Sequence, residues 1–232
     1  DVDSNPKNPV IGDRSFGCDP KEVIRFAQPW MRGLRDGGII PCAKHFPGHG
    51  DTDKDSHFDL PVVEKPLAEL KRVELPPFVQ ACTDGIESLM TAHVLFRSLD
   101  ESRPATLSQA IIGGLLRQEL GYDGLVYSDD MEMKAISDNY GPEAVLLAVR
   151  AGIDMLLYGH ELARAVDAFE LLCAEAERDP LLLSRVEQSQ RRIARLKQCF
   201  LKTLTATADH EVEEKLRQLD HRSIVEQCHG SR

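Results

Sequence analysis

The chain has 232 residues, with 28 Lys and Arg against 38 Asp and Glu, a formal charge of −10. That balance argues against sequence-independent nucleic-acid binding, which needs a cationic surface to displace counterions, and against docking on an anionic membrane. No apolar run approaches the roughly 20 residues of a spanning helix, since Ala144–Val149 and Met155–Tyr158 are cut short by Arg150 and Asp154. The composition, 42% hydrophobic and 28% charged, is that of a folded globular chain.

The chain opens at Asp1 with no charged leader and apolar segment, so no signal peptide is visible and the start reads as processing or truncation. Cysteines stand at 18, 42, 82, 173, 199 and 228, without a CxxC pair. Such scatter predicts reduced, mostly buried thiols in a reducing compartment, hence a cytoplasmic protein.

In chain order, Pro20–Asp36 predicts the first helix, with Val23, Ile24, Ala27, Trp30, Met31 and Leu34 near one face. Gly38–Ala43 is the first predicted strand, and Lys44-His45 follow it. Ser88–Ala92 is the second, followed by His93. Ser108 reads as the N-cap of a helix through Ile111, Ile112, Leu115, Leu116 and Leu120, stopped by Gly121. Gly124–Tyr127 is a third strand, ending in Ser128-Asp129-Asp130, and Asn139–Arg150 a further helix. Ile153–Leu157 is a fourth strand, before Tyr158-Gly159-His160. Two helices close the pattern: Glu161–Glu177, then one opened by the capping box Ser184-Arg-Val-Glu187 and carrying Val186, Ile193, Leu196 and Phe200. Residues beyond about 203 are polar, a marginal helix and frayed terminus.

Strand–helix alternation at this spacing predicts βα units and a parallel sheet. Polar residues at the C-terminal strand ends are where a (β/α) barrel or doubly wound sheet places its chemistry. Neither GxGxxG nor GxxxxGK[ST] occurs, so nucleotide-binding versions lose support.

Three segments concentrate chemically capable residues. Lys44–His57 holds three histidines and three aspartates in 14 residues, and Pro47, Gly48 and Gly50 make it a loop. His45 and His49 have ligand-like spacing, yet Pro47-Gly48 forbids the helix that would align them on a metal. His49 between two glycines reads better as a loop histidine that caps backbone groups. At Ser128-Asp129-Asp130, Asp130 reads as a helix N-cap, and strand alternation puts Ser128 and Asp129 on opposite faces. Gly12-Asp13-Arg14-Ser15-Phe16-Gly17 presents an arginine in a tight polar loop.

Together, GDRSFG, KHFPGHG with DSH, an AHV strand end and SDDMEM resemble, in order and spacing, the β-N-acetylglucosaminidase branch of the family 3 glycoside hydrolases. The resemblance covers residues 1 to about 160. It implies an α/β TIM-type barrel, N-terminally truncated, keeping the end of strand four and strands five to eight. The barrel portion would span 1–160, closing helices 161–202, and a polar tail 203–232. The resemblance implies Asp129 as nucleophile, His57 as general acid/base with Asp55 as its orienting partner, and Arg14, Lys44 and His45 as sugar-binding residues. No cofactor or metal is implied. The expected partner is a carbohydrate, an N-acetylglucosaminide such as a peptidoglycan fragment in a recycling role.

The implied chemistry is consistent. Retention needs a carboxylate at the anomeric carbon and an acid that later serves as base. A histidine with a pKa near 6.5 serves both proton roles near neutrality, and an aspartate can hold its tautomer. Phosphate in place of water, hence phosphorolysis, is an alternative acceptor chemistry. Family 3 β-glucosidases and xylosidases are another alternative, but they typically show Ser-Asp-Trp where this chain has Ser128-Asp129-Asp130. Readings from other classes are a metal-dependent hydrolase using His45, His49 and His57, and a non-catalytic carbohydrate-binding fragment. The family barrel starts before this sequence does, so the 232 residues alone are expected to fold poorly or be inactive, with apolar surface left uncovered.

Overall fold

The computed structural model describes residues 1–53, 55, 59–201, 211, 212 and 214. The chain divides into two units, Asp1–Phe200 and Leu201–Arg232. The tail expected beyond 203 lies almost wholly outside the described residues; 211, 212 and 214 are helical.

The first unit is built on a four-stranded parallel sheet. Its strands are β1 (Cys42–Phe46), β3 (Ser88–Thr91), β5 (Leu125–Asp130) and β6 (Met155–Leu157), adjacent in that order. Ser88 aligns with Cys42 on one side and Leu125 on the other, so the strands run in step and end together. The central strands are buried on both faces, as near-continuous apolar runs require. A short parallel ladder pairs β2 (Val62–Val63) with β4 (Leu95–Phe96). It ties the far end of the loop after β1 to the segment after β3.

Helices fill the connections: α1 (Pro20–Asp36), α2 (Leu67–Leu70), α3 (Pro76–Thr83), a π-helix at Ala110–Glu119, α4 (Lys134–Tyr140), α5 (Ala144–Ala151), α6 (Leu162–Ala176) and α7 (Pro180–Phe200). The α1 boundaries agree with those read from sequence, because Asp19 accepts from the Lys21 and Glu22 amides and Pro20 sits in the first turn. The core gathers Phe46, Leu89, Val126 and Ile153 from the strands with Phe78, Ile111, Ile112 and Leu116 from the helices.

Several expectations are corrected. The first strand is Cys42–Phe46, not Gly38–Ala43, so Lys44 and His45 lie inside it; the turn at Gly37-Gly38 and the irregular residues 39–41 precede it. The single helix expected at 139–150 is two helices broken at Gly141-Pro142. The segment after Ser108 winds as a π-helix containing Gly113-Gly114, although Ser108 Oγ does accept the Ile111 amide. Ser184 lies inside α7, whose start is capped instead by Asp179, which accepts the Leu181 and Leu182 amides. Helices α2 and α3 and the β2–β4 ladder were not anticipated. Cys18, Cys42, Cys173 and Cys199 are exposed thiols and Cys82 is half-buried, contrary to the expectation of burial. Trp30, placed near one face of α1 with Val23 and Met31, is 63% exposed while those two are buried.

Asp154, just ahead of β6, joins the outer helices to the sheet. Its side chain is fully buried. Oδ2 accepts from Arg117 at 2.7 Å and from the Val126 amide at 3.0 Å. Oδ1 accepts from Arg185 at 2.7 Å, Ser189 at 2.8 Å and Arg192 at 3.4 Å. Its own amide donates to Val126 O. Truncating such a carboxylate leaves buried guanidinium groups uncompensated. Asp154→Ala is therefore expected to lower stability by about 3–5 kcal/mol, and Asp154→Asn by less, measured as urea unfolding of the full chain.

Candidate active site

Three strand ends of the parallel sheet deliver the polar groups. β1 carries His45, β3 is followed by His93, and β5 ends in Ser128-Asp129-Asp130. Both ladders beside the site lose regular register at the residues concerned, between Ala43 and Phe46 in β1 and between Tyr127 and Asp130 in β5. Such irregularities re-aim side chains. Ser128 turns inward, fully buried, and its Oγ accepts the Leu157 amide in place of a ladder bond. Asp129 stays partly open, with Oδ2 3.9 Å from His45 Nε2 and Oδ1 accepting the Asp130 amide.

The strongest anchor of this group is a residue the sequence reading did not single out. The Asp1 side chain is only 6% exposed. Its Oδ2 lies 2.7 Å from His45 Nδ1, while Oδ1 accepts the amides of His45 at 2.9 Å and His49 at 2.7 Å. The rest of the opening segment clasps the same loop. Asn8 Nδ2 donates to His49 O and Thr52 Oγ1, Asn5 Nδ2 to Asp51 O, and Ser4 Oγ to Glu74. The loop glycines make this fit possible. A Cβ on Gly50 would fall 1.6 Å from Val2 O, and one on Gly48, whose φ is +141°, 2.6 Å from Glu74 Cβ. In a single sequence, Asp-Val-Asp carries no signal that would reveal this contact.

Arg14 and Lys44 are exposed and line, together with Asp1, one end of a cavity of about 190 Å³. The rest of that cavity is the apolar face of α1 opposite Phe78. Both cations lie near enough to His45 to add to the effect of burial in favouring its uncharged form. The structure therefore gathers Arg14, Lys44, His45 and Asp129 around β1 and β5. Asp55 is half-buried on the loop, its carbonyl accepting the Asp59 amide. His57 lies outside the described residues. The root of that loop is held by Lys65, whose Nζ is 2.9 Å from Asp51 and 2.8 Å from fully buried Glu74.

Among the described residues, the group able to surround a cation is Asp130, Glu132 and His160. Its carboxylates are committed to the chain: Glu132 accepts the His160 and Glu161 amides, Asp130 those of Glu132 and Gly159. Asp130 thus holds a turn and is not the cap of α4, which begins at Lys134. The His45 and His49 rings lie 5.6 Å apart, with their Nδ1 atoms on Asp1 and Thr52 respectively.

Burial holds three histidines neutral. His93 is enclosed, and its pKa falls from 6.5 to about 4; His49 falls likewise to about 4. His45 is also lowered by burial, with Asp129 opposing and Lys44 reinforcing. His93 Nε2 must donate to the Asp130 carbonyl at 3.0 Å, so its Nδ1 accepts from Thr106 Oγ1 at 2.7 Å. Thr91 Oγ1, 2.9 Å from Thr106 Oγ1, completes this buried relay and pins the end of β5 to that of β3. Below pH 6.5 the unfolded chain takes up protons that the folded chain refuses until about 4. The stability these groups permit is complete above pH 6.5 and is lost as pH falls towards 4. The urea midpoint is expected to drop across that window, and His93→Gln to lower it at neutral pH while flattening the slope.

The comparisons with known proteins agree with one another. Residues 1–196 match the glycosyl hydrolase family 3 N terminal domain. A β-hexosaminidase of Alkalilimnicola ehrlichii is 42% identical over 149 residues, covering 64% of this chain and 42% of that protein. β-Hexosaminidase LpqI of Mycobacterium tuberculosis is 40% identical over 206 residues, covering 85% of this chain and 52% of that protein. Among solved structures, a family 3 β-N-acetylglucosaminidase from Paenibacillus sp. str. FPU-7 superposes with a TM-score of 0.85 at 42% identity, over 92% of this chain and 43% of that one. The chain thus spans about two fifths of the length of the Alkalilimnicola relative (42%). It belongs to glycosyl hydrolase family 3, of whose TIM-type α/β N-terminal domain it carries a portion.

Proposed function

We propose that the protein is a retaining exo-β-N-acetylglucosaminidase that removes terminal N-acetylglucosamine from glycosides such as peptidoglycan fragments. The observation that carries this reading is the pairing of a partly open carboxylate, Asp129, with a buried neutral imidazole, His45, 3.9 Å away at the C-terminal end of a parallel sheet. The names of its relatives, β-hexosaminidases and β-N-acetylglucosaminidases, support the same sugar. A cytoplasmic site of action, as in cell-wall recycling, completes the proposal.

In this reading the Asp129 carboxylate attacks the anomeric carbon as its bond to the aglycone oxygen breaks, and His57 gives its proton to that oxygen. His57, held by Asp55, then takes a proton from water. The water oxygen displaces the Asp129 ester, which restores the free carboxylate. Arg14, Lys44 and His45 bind the sugar hydroxyls. No role is proposed for His93, which is spent on holding β5.

Activity is tested on aryl N-acetylglucosaminides with the protein that carries the whole family 3 domain, and aryl glucosides are expected to turn over far more slowly. Asp129→Ala should abolish turnover, and azide should restore part of it with an α-configured product. His57→Ala should slow substrates with poor leaving groups by about 10²–10⁴-fold and activated aryl substrates much less. Equal losses on both would remove His57 from the acid role.

A further inference from the structure

We propose that Asp1 is the positioning residue for His45: it fixes the Nδ1–H tautomer, so that Nε2 presents a lone pair to a hydroxyl of the bound sugar. The inference rests on the reading of Asp129 and His45 given above. The geometry leaves little choice of proton placement. A carboxylate only accepts hydrogen bonds. Its Oδ1 is occupied by the His45 and His49 amides, and its Oδ2 sits 2.7 Å from His45 Nδ1. The proton of that contact therefore belongs to Nδ1. The groups facing this imidazole are Asp1, Asp129, Lys44, Arg14 and the His49 ring. Burial and the two cations keep the ring neutral against the pull of the carboxylates.

A neutral ring with its proton on Nδ1 has only an acceptor at Nε2. It makes no hydrogen bond to Asp129, whose Oδ2 stands 3.9 Å away. Two consequences follow. The nucleophile is not tied down by an imidazolium, and the ligand group between the two must be a donor. A sugar hydroxyl satisfies that requirement; an ether or carbonyl oxygen does not. Asp1 acts through His45 and does not itself touch the reacting atoms.

The test uses the full chain labelled with ¹⁵N at histidine. His45 is identified by the loss of its signals in His45→Gln, and the wild-type spectrum alone decides the tautomer. The expected result is a neutral ring protonated at Nδ1. Asp1→Asn is the discriminating variant. The two backbone amides keep the amide oxygen at the Oδ1 position, so the amide nitrogen faces Nδ1 as a donor. The ring proton should then move to Nε2, as in the aspartate-to-asparagine change of a serine-protease triad.

In turnover, Asp1→Asn should lose about 10–100-fold in kcat/KM on the parent aryl N-acetylglucosaminide. It should lose little further on the deoxy analogue that lacks the hydroxyl bound by His45. An imidazolium or an Nε2–H ring in the wild type would overturn the proposal. So would an unchanged tautomer in Asp1→Asn, or an equal loss on parent and deoxy substrates. Failure of the glycosidase reading is a separate outcome, absence of turnover by the wild type in the protein that carries the whole family 3 domain, and the spectrum still decides the role of Asp1.

Discussion

The arrangement of this molecule hangs on one buried carboxylate far from the chemistry. Asp154 takes hydrogen bonds from Arg117, Arg185, Arg192, Ser189 and the Val126 amide. Arg117 extends the same network to the carbonyls of Tyr122 and Gly124 at the mouth of β5. The root of β5 is thus bolted to the π-helix and to α7, and β6 is set against it. A parallel strand anchored at its N-terminal end has its C-terminal end placed by arithmetic. Asp129 therefore owes its position to contacts made several residues earlier, on the opposite rim of the sheet. Stability and chemistry occupy opposite ends of the same strands, the division expected of βα architecture.

At the chemical end, precision comes from a different source. The loop after β1 is rich in glycine and proline, which permits many shapes and specifies none. Its shape is imposed from outside by residues 1–8, whose polar side chains serve its backbone, and by the Lys65–Glu74 pair beneath. The His93–Thr106–Thr91 relay performs the corresponding task for β5. Buried polar networks of this kind are costly when incomplete, so each narrows the conformations available to the site.

Much of the sheet could be read from sequence because its strands appear as short apolar runs between turns, most clearly the central pair, which is buried on both faces. Helix α1 was legible for an equally local reason, the Asp19-Pro20 start. Errors arose where tertiary contacts outweigh local pattern. Lys44 and His45 look like a polar loop, yet they are strand residues because Ala43 and Phe46 on either side of them pair with β3. Ser184 and Glu187 have the spacing of a capping box, yet Asp179 starts the helix four residues or more earlier. Arg14, His45 and Asp129 became candidates through motif order. Asp1 and Glu74 were missed because their importance lies in partners more than 40 positions away.

The approach of Val2 to Gly50 has an evolutionary consequence. Because the backbone of one segment occupies the space where a side chain of the other would stand, neither can drift independently. A glycine at position 50 is required by the distant segment that lies across it. Its persistence in descendants of this chain would record a packing constraint.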